Sequence, residues 1–350
     1  MLGGRMRKPS QMQVFDALYR VAAAGGRGEA LLGNSVELAR PAYERTLIGS
    51  GYPHAYLEFP LRGDPCFDLL SVHQSVEPGA RFAPGAGFGR QDMFDWFASL
   101  QVADGEVACG LELDTSSGQG DRAGVYLQQR SHTDLVEPFL ASIGEAARAR
   151  SYLEVLSRMP KGWPPAYVGL FPGRPGTPLR LGGYMSKPDL RRCASDPKLL
   201  GKRFQRIGFS AFDDRMLERC SALMRLAPSV DFQFDIMTDG SLGSTFGLSL
   251  SFAKVRPREA KACMTDGYGA RLMDVLQGWS LADDRWRLIA DAVFARRAEF
   301  ERDDGSTGQL ALRVLLNYAK VKFVDGVARP AKFYLILAAS ELLQDVPARV

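Results

Sequence analysis

Five times along the chain, two short stretches of alternating apolar and polar residues stand side by side across a turn. No other feature narrows the possible folds as much. The first pair is 55–61 (AYLEFPL) and 66–76 (CFDLLSVHQSV), joined by Arg62-Gly63-Asp64-Pro65, residue types that favour a tight reversal. The second pair is 107–114 and 123–130, and the third is 166–171 and 179–185. The fourth is 231–238 and 246–252, and the fifth is 318–324 and 331–337. Each pair reads as a hairpin, so the chain is expected to hold ten antiparallel strands.

Between the hairpins the period changes to that of a helix. Helical stretches are expected at 11–24, 36–48, 91–100 and 132–159, the last broken near Gly144. Others are expected at 198–207 and 213–226, where Asp213-Asp214 supplies a cap. The span 256–300 reads as two further helices separated near Gly278-Trp279-Ser280, and 340–344 as a closing helical turn.

The faces of the strands carry the next inference. Phe232, Phe234 and Ile236 fall on one face of their strand, with Asp231, Gln233 and Asp235 on the other. Ala319, Val321 and Phe323 likewise oppose Tyr318, Lys320 and Lys322, and Phe333 and Leu335 oppose Lys332 and Tyr334. Leu111 and Leu113 oppose Glu112 and Asp114, and Val125 and Leu127 oppose Tyr126 and Gln128. Two architectures satisfy this pattern. An open sheet would have helices on one face and water on the other. A closed barrel of ten strands would have helices outside and a polar lumen wide enough for a ligand, and it leaves no exposed edge. The barrel is the favoured expectation.

Composition removes several other classes. The 350 residues are 46% hydrophobic and 24% charged, which is ordinary for a globular chain. With 44 Lys and Arg against 40 Asp and Glu, the formal charge is only +4, so a general nucleic-acid binder is not expected. The 5 cysteines are widely spaced and the 3 histidines scattered, which argues against zinc and against a disulfide framework. No long apolar segment and no signal-like opening occur, and the expectation is a protein of the reducing cytoplasm with no membrane partner. The glycines at 118 and 120 and at 85 and 87 belong to turns without a following helix, and no P-loop or Gly-x-Ser-x-Gly is present. The histidines read as structural, with His73 a candidate for the lumen, and the basic stretch 187–203 reads as a solvated face.

Scattered residues on this framework resemble the ABBA-type aromatic prenyltransferases, nearest the dimethylallyltryptophan synthase branch and its bacterial relatives. That branch carries an acidic residue in a stretch like PVEFSL, matched here by Tyr56-Leu57-Glu58-Phe59-Pro60-Leu61. Its middle strands carry Lys-x-Tyr and Arg-x-Lys-x-Tyr. Here Gly124-Val125-Tyr126 keeps the tyrosine, and Arg180-Leu181-Gly182-Gly183-Tyr184 keeps the arginine and tyrosine. Lys332-Phe333-Tyr334 is intact. Glycine thus stands at two positions where the family has lysine.

The resemblance implies an α+β fold in which five αββα units close a ten-stranded antiparallel barrel ringed by helices. A single such domain would span 1–350, with 1–10 a flexible opening. It implies an alkyl-group transferase of natural-product biosynthesis. A C5 or C10 group would pass from dimethylallyl or geranyl diphosphate to an aromatic or nitrogen nucleophile, an indole-type small molecule or a peptide side chain. Ionising an allylic diphosphate requires cations to hold the leaving group, a role implied for Arg180, Lys320, Lys322 and Lys332. Tyrosine faces can shield the carbocation, a role implied for Tyr126, Tyr184, Tyr318 and Tyr334. Glu58 would orient the acceptor or take its proton. No cofactor is required on this reading. Mg²⁺ remains an option through Glu112 and Asp114 or Asp231 and Asp235, which pair on strand faces. The rival readings are a catalytically inactive barrel that binds a small molecule or peptide, and an open-sheet interaction protein without a chamber.

Overall fold

Strands with one apolar and one polar face are stable only when the apolar face is covered. In the computed structural model of the protein, ten such strands close on themselves inside a layer of helices. The structure describes residues 6–33, 36–48, 51–76, 79–81, 91–100, 107–113, 123–130, 132–174, 176–252 and 255–342. The long strands are β1 (His54–Pro60), β2 (Asp68–His73), β3 (Ala108–Leu113), β4 (Gly124–Gln128), β5 (Pro165–Leu170) and β6 (Leu179–Tyr184). They continue with β7 (Val230–Ile236), β8 (Leu242–Ser251), β9 (Phe294–Glu301), β10 (Thr307–Val324) and β11 (Lys332–Leu342). Strands β1 to β8 pair in sequence, β8 pairs with β10, β10 with β11, and β11 with β1, every pairing antiparallel. The barrel therefore has ten strands and is closed, and all five expected hairpins are present.

The outward face is the main core. Phe232, Phe234, Ile236, Leu248, Val321 and Phe323 are each at 0% exposure beneath the helices. Phe204, on the helix Pro197–Ile207, packs edge-on against Phe209, Phe234 and Phe246. Burying a ring of this size contributes about 1.5–3 kcal/mol. The helix ends follow local chemistry: Asp213 Oδ1 accepts from the Met216 amide at 2.7 Å to open Asp214–Leu226, and Asp196 caps Pro197–Ile207. Among the described residues, no helix is long and apolar enough to cross a membrane.

Three expectations are corrected. Residues 294–301, read as helical, form β9, which lies outside the barrel and pairs with the first half of β10. Its charged residues project on both sides and only Phe300 is buried, so alternation is faint, while Phe294 and Ala298 mimic a helical spacing. Strand β10 changes neighbour, from β9 along Thr307–Val314 to β8 along Tyr318–Val324. Its register against β11 slips between Leu316 and Tyr318, leaving Asn317 as a bulge. Residues 340–342, read as a helical turn, prolong β11, while 343 and 344 lie outside the described residues. His73, a candidate for the lumen, points outward, where its ring meets Phe94 edge-on and its Nε2 lies 2.9 Å from Ser71 Oγ. At the start of the chain, Met6 and Arg7 pair in parallel with Phe300 and Glu301, and Ser10 caps the helix Gln11–Ala22.

Candidate active site

Because every hairpin is built alike, all five hairpin turns gather at one end of the barrel and the helical connections at the other. The lumen is consequently polarised by strand position. Side chains near the hairpin end come from the last residues of β1, β3, β5, β7 and β10 and from the first residues of β2, β4, β6, β8 and β11.

The hairpin end is charged. A cavity of about 250 Å³ is lined there by Arg174, Arg180, Lys320, Lys322, Arg329 and Lys332. Glu58 and Asp68 face each other across β1 and β2, an unfavourable juxtaposition relieved by Lys332, whose Nζ lies 2.6 Å from Glu58 and 2.9 Å from Asp68. Arg180 forks onto Asp235 across β6 and β7, at 2.9 Å and 3.4 Å. Arg174, from the turn between β5 and β6, reaches Glu112 of β3 at 2.5 Å. The guanidinium groups of Arg174 and Arg180 lie 4.0 Å and 4.3 Å from the centre of the Phe171 ring. Among the described residues, Lys322 and Arg329 form no ion pair, so cations outnumber carboxylates here.

Titration behaviour follows from this packing. Burial raises the Glu58 carboxyl, but Lys332, Lys320 and a hydrogen bond from Tyr334 outweigh it and hold the group well below the usual range. Burial also pushes Lys320 down, to about 8, against the pull of Glu58. Lys322 is lowered by burial and by the neighbouring Arg180 and Arg174. Arg180 stays charged because Asp235 overcomes the cost of burial. A basic pocket in which Lys320 and Lys322 are depressed in this way is one that an anion would stabilise.

Toward the helix end the lumen becomes aromatic. A cavity of about 430 Å³ is walled by Tyr56, Tyr126, Tyr167, Tyr184, Tyr318 and Tyr334, and it shares Glu58, Arg180, Gln233 and Lys320 with the charged end. Tyr318 and Tyr334 approach to 4.0 Å between ring centres, and Lys320 donates to the Tyr334 hydroxyl at 3.2 Å. Burial keeps the hydroxyls of Tyr126, Tyr167, Tyr318 and Tyr334 protonated by raising each one. Tyr184 stands at the mouth, 38% exposed.

The two glycines at lysine positions have a steric explanation. A Cβ on Gly182 would lie 2.0 Å from the Tyr167 ring, and one on Gly124 would lie 2.6 Å from Phe171. Gly110 makes the same room for Tyr126, at 2.1 Å. Rings from neighbouring strands lie flat over bare backbone where longer side chains would project. Arg174, Lys322 and Arg329 supply positive charge at the hairpin end of the lumen.

The sequence candidates Glu58, Arg180, Lys320, Lys322, Lys332, Tyr126, Tyr184, Tyr318 and Tyr334 therefore converge on one lumen. Arg180 and Lys332 are already engaged with carboxylates. Asp68, Arg174, Tyr56, Tyr167 and Phe171 were missed. Strand parity from Glu58 and Leu70 marks Tyr56 and Asp68, whereas Arg174 sits in a turn that carries no periodic signal. The acidic pairs do not fit Mg²⁺: Glu112 is held by Arg174, Asp235 is held by Arg180, and Asp114 lies outside the described residues. Among the described residues, no three His, Cys, Asp or Glu side chains cluster as a metal site would require. A larger cleft of about 740 Å³ shares no lining residue with these two cavities and gathers only one Lys, Lys8, with His54, His73 and Glu341.

No family model matches the chain, and no curated protein matches it. Solved structures do. 5-Dimethylallyl tryptophan synthase from Streptomyces coelicolor, in complex with DMASPP and Trp, superposes with a TM-score of 0.53 at 15% identity, covering 98% of this chain and 100% of that one. Prenyltransferase PriB, in a ternary complex with L-tryptophan and dimethylallyl thiolodiphosphate, gives 0.52 at 14%, over 94% and 96%. AnaPT from Neosartorya fischeri gives 0.50 at 11%, over 94% of each chain. The protein has the ABBA barrel fold of aromatic prenyltransferases.

Proposed function

We propose that the protein is a prenyltransferase that moves a C5 or C10 group from an allylic diphosphate to an aromatic or nitrogen nucleophile. The observation that carries this reading is the polarity of the lumen, with surplus cations at one end of a continuous chamber and stacked tyrosines at the other. The diphosphate of the donor would lie at the hairpin end. There Lys322 and Arg329 are unpaired among the described residues, and Arg174 and Arg180 retain N–H groups beyond those bound to Glu112 and Asp235.

As the allylic C–O bond breaks, its electron pair leaves with diphosphate, and the cations stabilise that charge. The carbocation forms against Tyr318 and Tyr334, whose faces attract positive charge and exclude water. The nucleophile then attacks, and an aromatic carbon nucleophile passes a proton to the departed diphosphate to restore its ring. Glu58 lines both halves of the chamber. Held ionised by Lys332, it is a weak base and better suited to accepting a hydrogen bond from the acceptor's N–H or O–H. The two tryptophan-bound structures of the same fold support an aromatic acceptor, and both a small molecule and a peptide side chain are consistent with the reading. The work would take place in the cytoplasm.

Calorimetric titration with dimethylallyl thiolodiphosphate, and with its geranyl counterpart, tests the proposal. Micromolar binding that weakens about tenfold in Lys322→Ala is the expected result. Absence of binding by both analogues would overturn it in favour of a barrel that binds a small molecule or peptide without transferring a prenyl group.

A further inference from the structure

Five carboxylates of the described residues belong to the chamber. Glu58 and Asp68 share Lys332, Glu112 is held by Arg174, and Asp235 by Arg180. Asp231, two turns of the pleat above Asp235 on β7, forms no ion pair among the described residues. It lines the aromatic cavity, opposite Tyr184 on β6 and Ser249 on β8. Tyr167 of β5 and Tyr318 of β10 are near enough to feel its charge, and Arg130, at the end of β4, lines the same cavity by the mouth. The Ser249 hydroxyl beside it is buried without a hydrogen-bond partner among the described residues.

Building on the prenyl-transfer reading of the chamber, we infer that Asp231 selects acceptors carrying a protonated amine, which it binds while the acceptor ring lies among the tyrosines. A carboxylate set into a wall of tyrosines with no ion-pair partner among the described residues is poorly compensated, and a cationic group on a ligand would compensate it. Burial raises the Asp231 carboxyl to about 6, which agrees with a site awaiting a positive charge. The donor's diphosphate is drawn to the opposite, cationic end, so the amine and the anion do not compete. The class of acceptor follows: an aromatic amine or a free amino acid carries the required ammonium, whereas the side chain of a residue inside a peptide reaches the chamber with a neutral amide in its place. Arg130 lines the same cavity, a cation suited to the carboxylate of an amino acid.

The test uses the wild-type chain and Asp231→Asn, titrated with tryptamine and tyramine and with their N-acetyl derivatives, which keep the rings and remove the charge. Wild type should bind at least one amine about tenfold more tightly than its N-acetyl form, and Asp231→Asn should lose that preference. Equal affinity for amine and amide, a preference that survives the substitution, or failure of both amines to bind at millimolar concentration would each overturn the inference. Should the variant not fold, the wild-type comparison decides alone. The thiolodiphosphate titration separates this result from the prenyl-transfer reading: amine selectivity without donor binding leaves Asp231 its ligand and removes the reaction. Donor binding without amine selectivity does the reverse.

Discussion

The two ends of the lumen are made from the same ten strands, yet they differ in how their polar groups are satisfied. At the hairpin end, the carboxylates are matched with cations: Lys332 clamps Glu58 and Asp68, Arg180 forks onto Asp235, and Arg174 crosses to Glu112. Toward the helix end, among the described residues, Tyr126 and Ser249 leave buried hydroxyls without partners and Asp231 forms no ion pair. The difference lies in where long side chains are anchored. Turns and strand ends give arginine and lysine room to swing toward one another, while the middle of the barrel is filled by rings pressed against glycine. The charged end resembles a preassembled electrostatic cradle and the aromatic end an unfilled mould.

The largest disturbance to this contrast is Arg180→Ala. It leaves the Asp235 carboxylate buried without its cation, costing about 3–5 kcal/mol, and affinity for the thiolodiphosphate should fall about 100-fold. Thermal unfolding and calorimetry on one preparation would check both figures, and an unchanged affinity would remove Arg180 from the donor site. A milder effect comes from pH. Lys320 loses its proton near 8, so below that pH it is a cation that favours the anion, and above it the attraction is lost. Phosphate groups are already ionised above about pH 6, so donor-analogue affinity should fall by about tenfold between pH 7 and pH 9. Binding that stays flat over that range would exclude Lys320 from the cradle. The smallest effect on donor affinity belongs to the aromatic end. Gly182→Ala drives a methyl into the Tyr167 ring and should cost about 1–3 kcal/mol in denaturant titrations, with donor affinity preserved. Loss of donor binding at intact stability would mean that the two ends do not act independently.

Much of this was readable in the amino-acid order. Alternation located all five hairpins, and parity around Glu58, Tyr318 and Lys332 assigned the correct face, because a strand buried on two unlike sides has only one acceptable register. Strand β9 was obscured because its faces are hardly distinguished by burial, so period carries little information there. Pairings such as Lys332 with Asp68, 264 residues apart, leave no local trace, and Arg174 sits in a turn where its direction is set by Phe171 and Glu112. Gly182 reads from sequence as a lost lysine. Only the packing reveals that the space a lysine would take belongs to Tyr167.

The pairing of β11 with β1 and of β10 with β8 also governs how the chain reaches its final form. Four hairpins can leave the ribosome, pair with their neighbours and still be an incomplete sheet with two bare edges, open to association with other chains. The fifth hairpin covers both edges at once, and it also brings Tyr318, Lys320, Lys322, Lys332 and Tyr334. Much of the lumen's charge and two of its tyrosines thus arrive on the same late segment that protects the edges. A nascent chain has no closed lumen until the moment at which its two bare edges are covered.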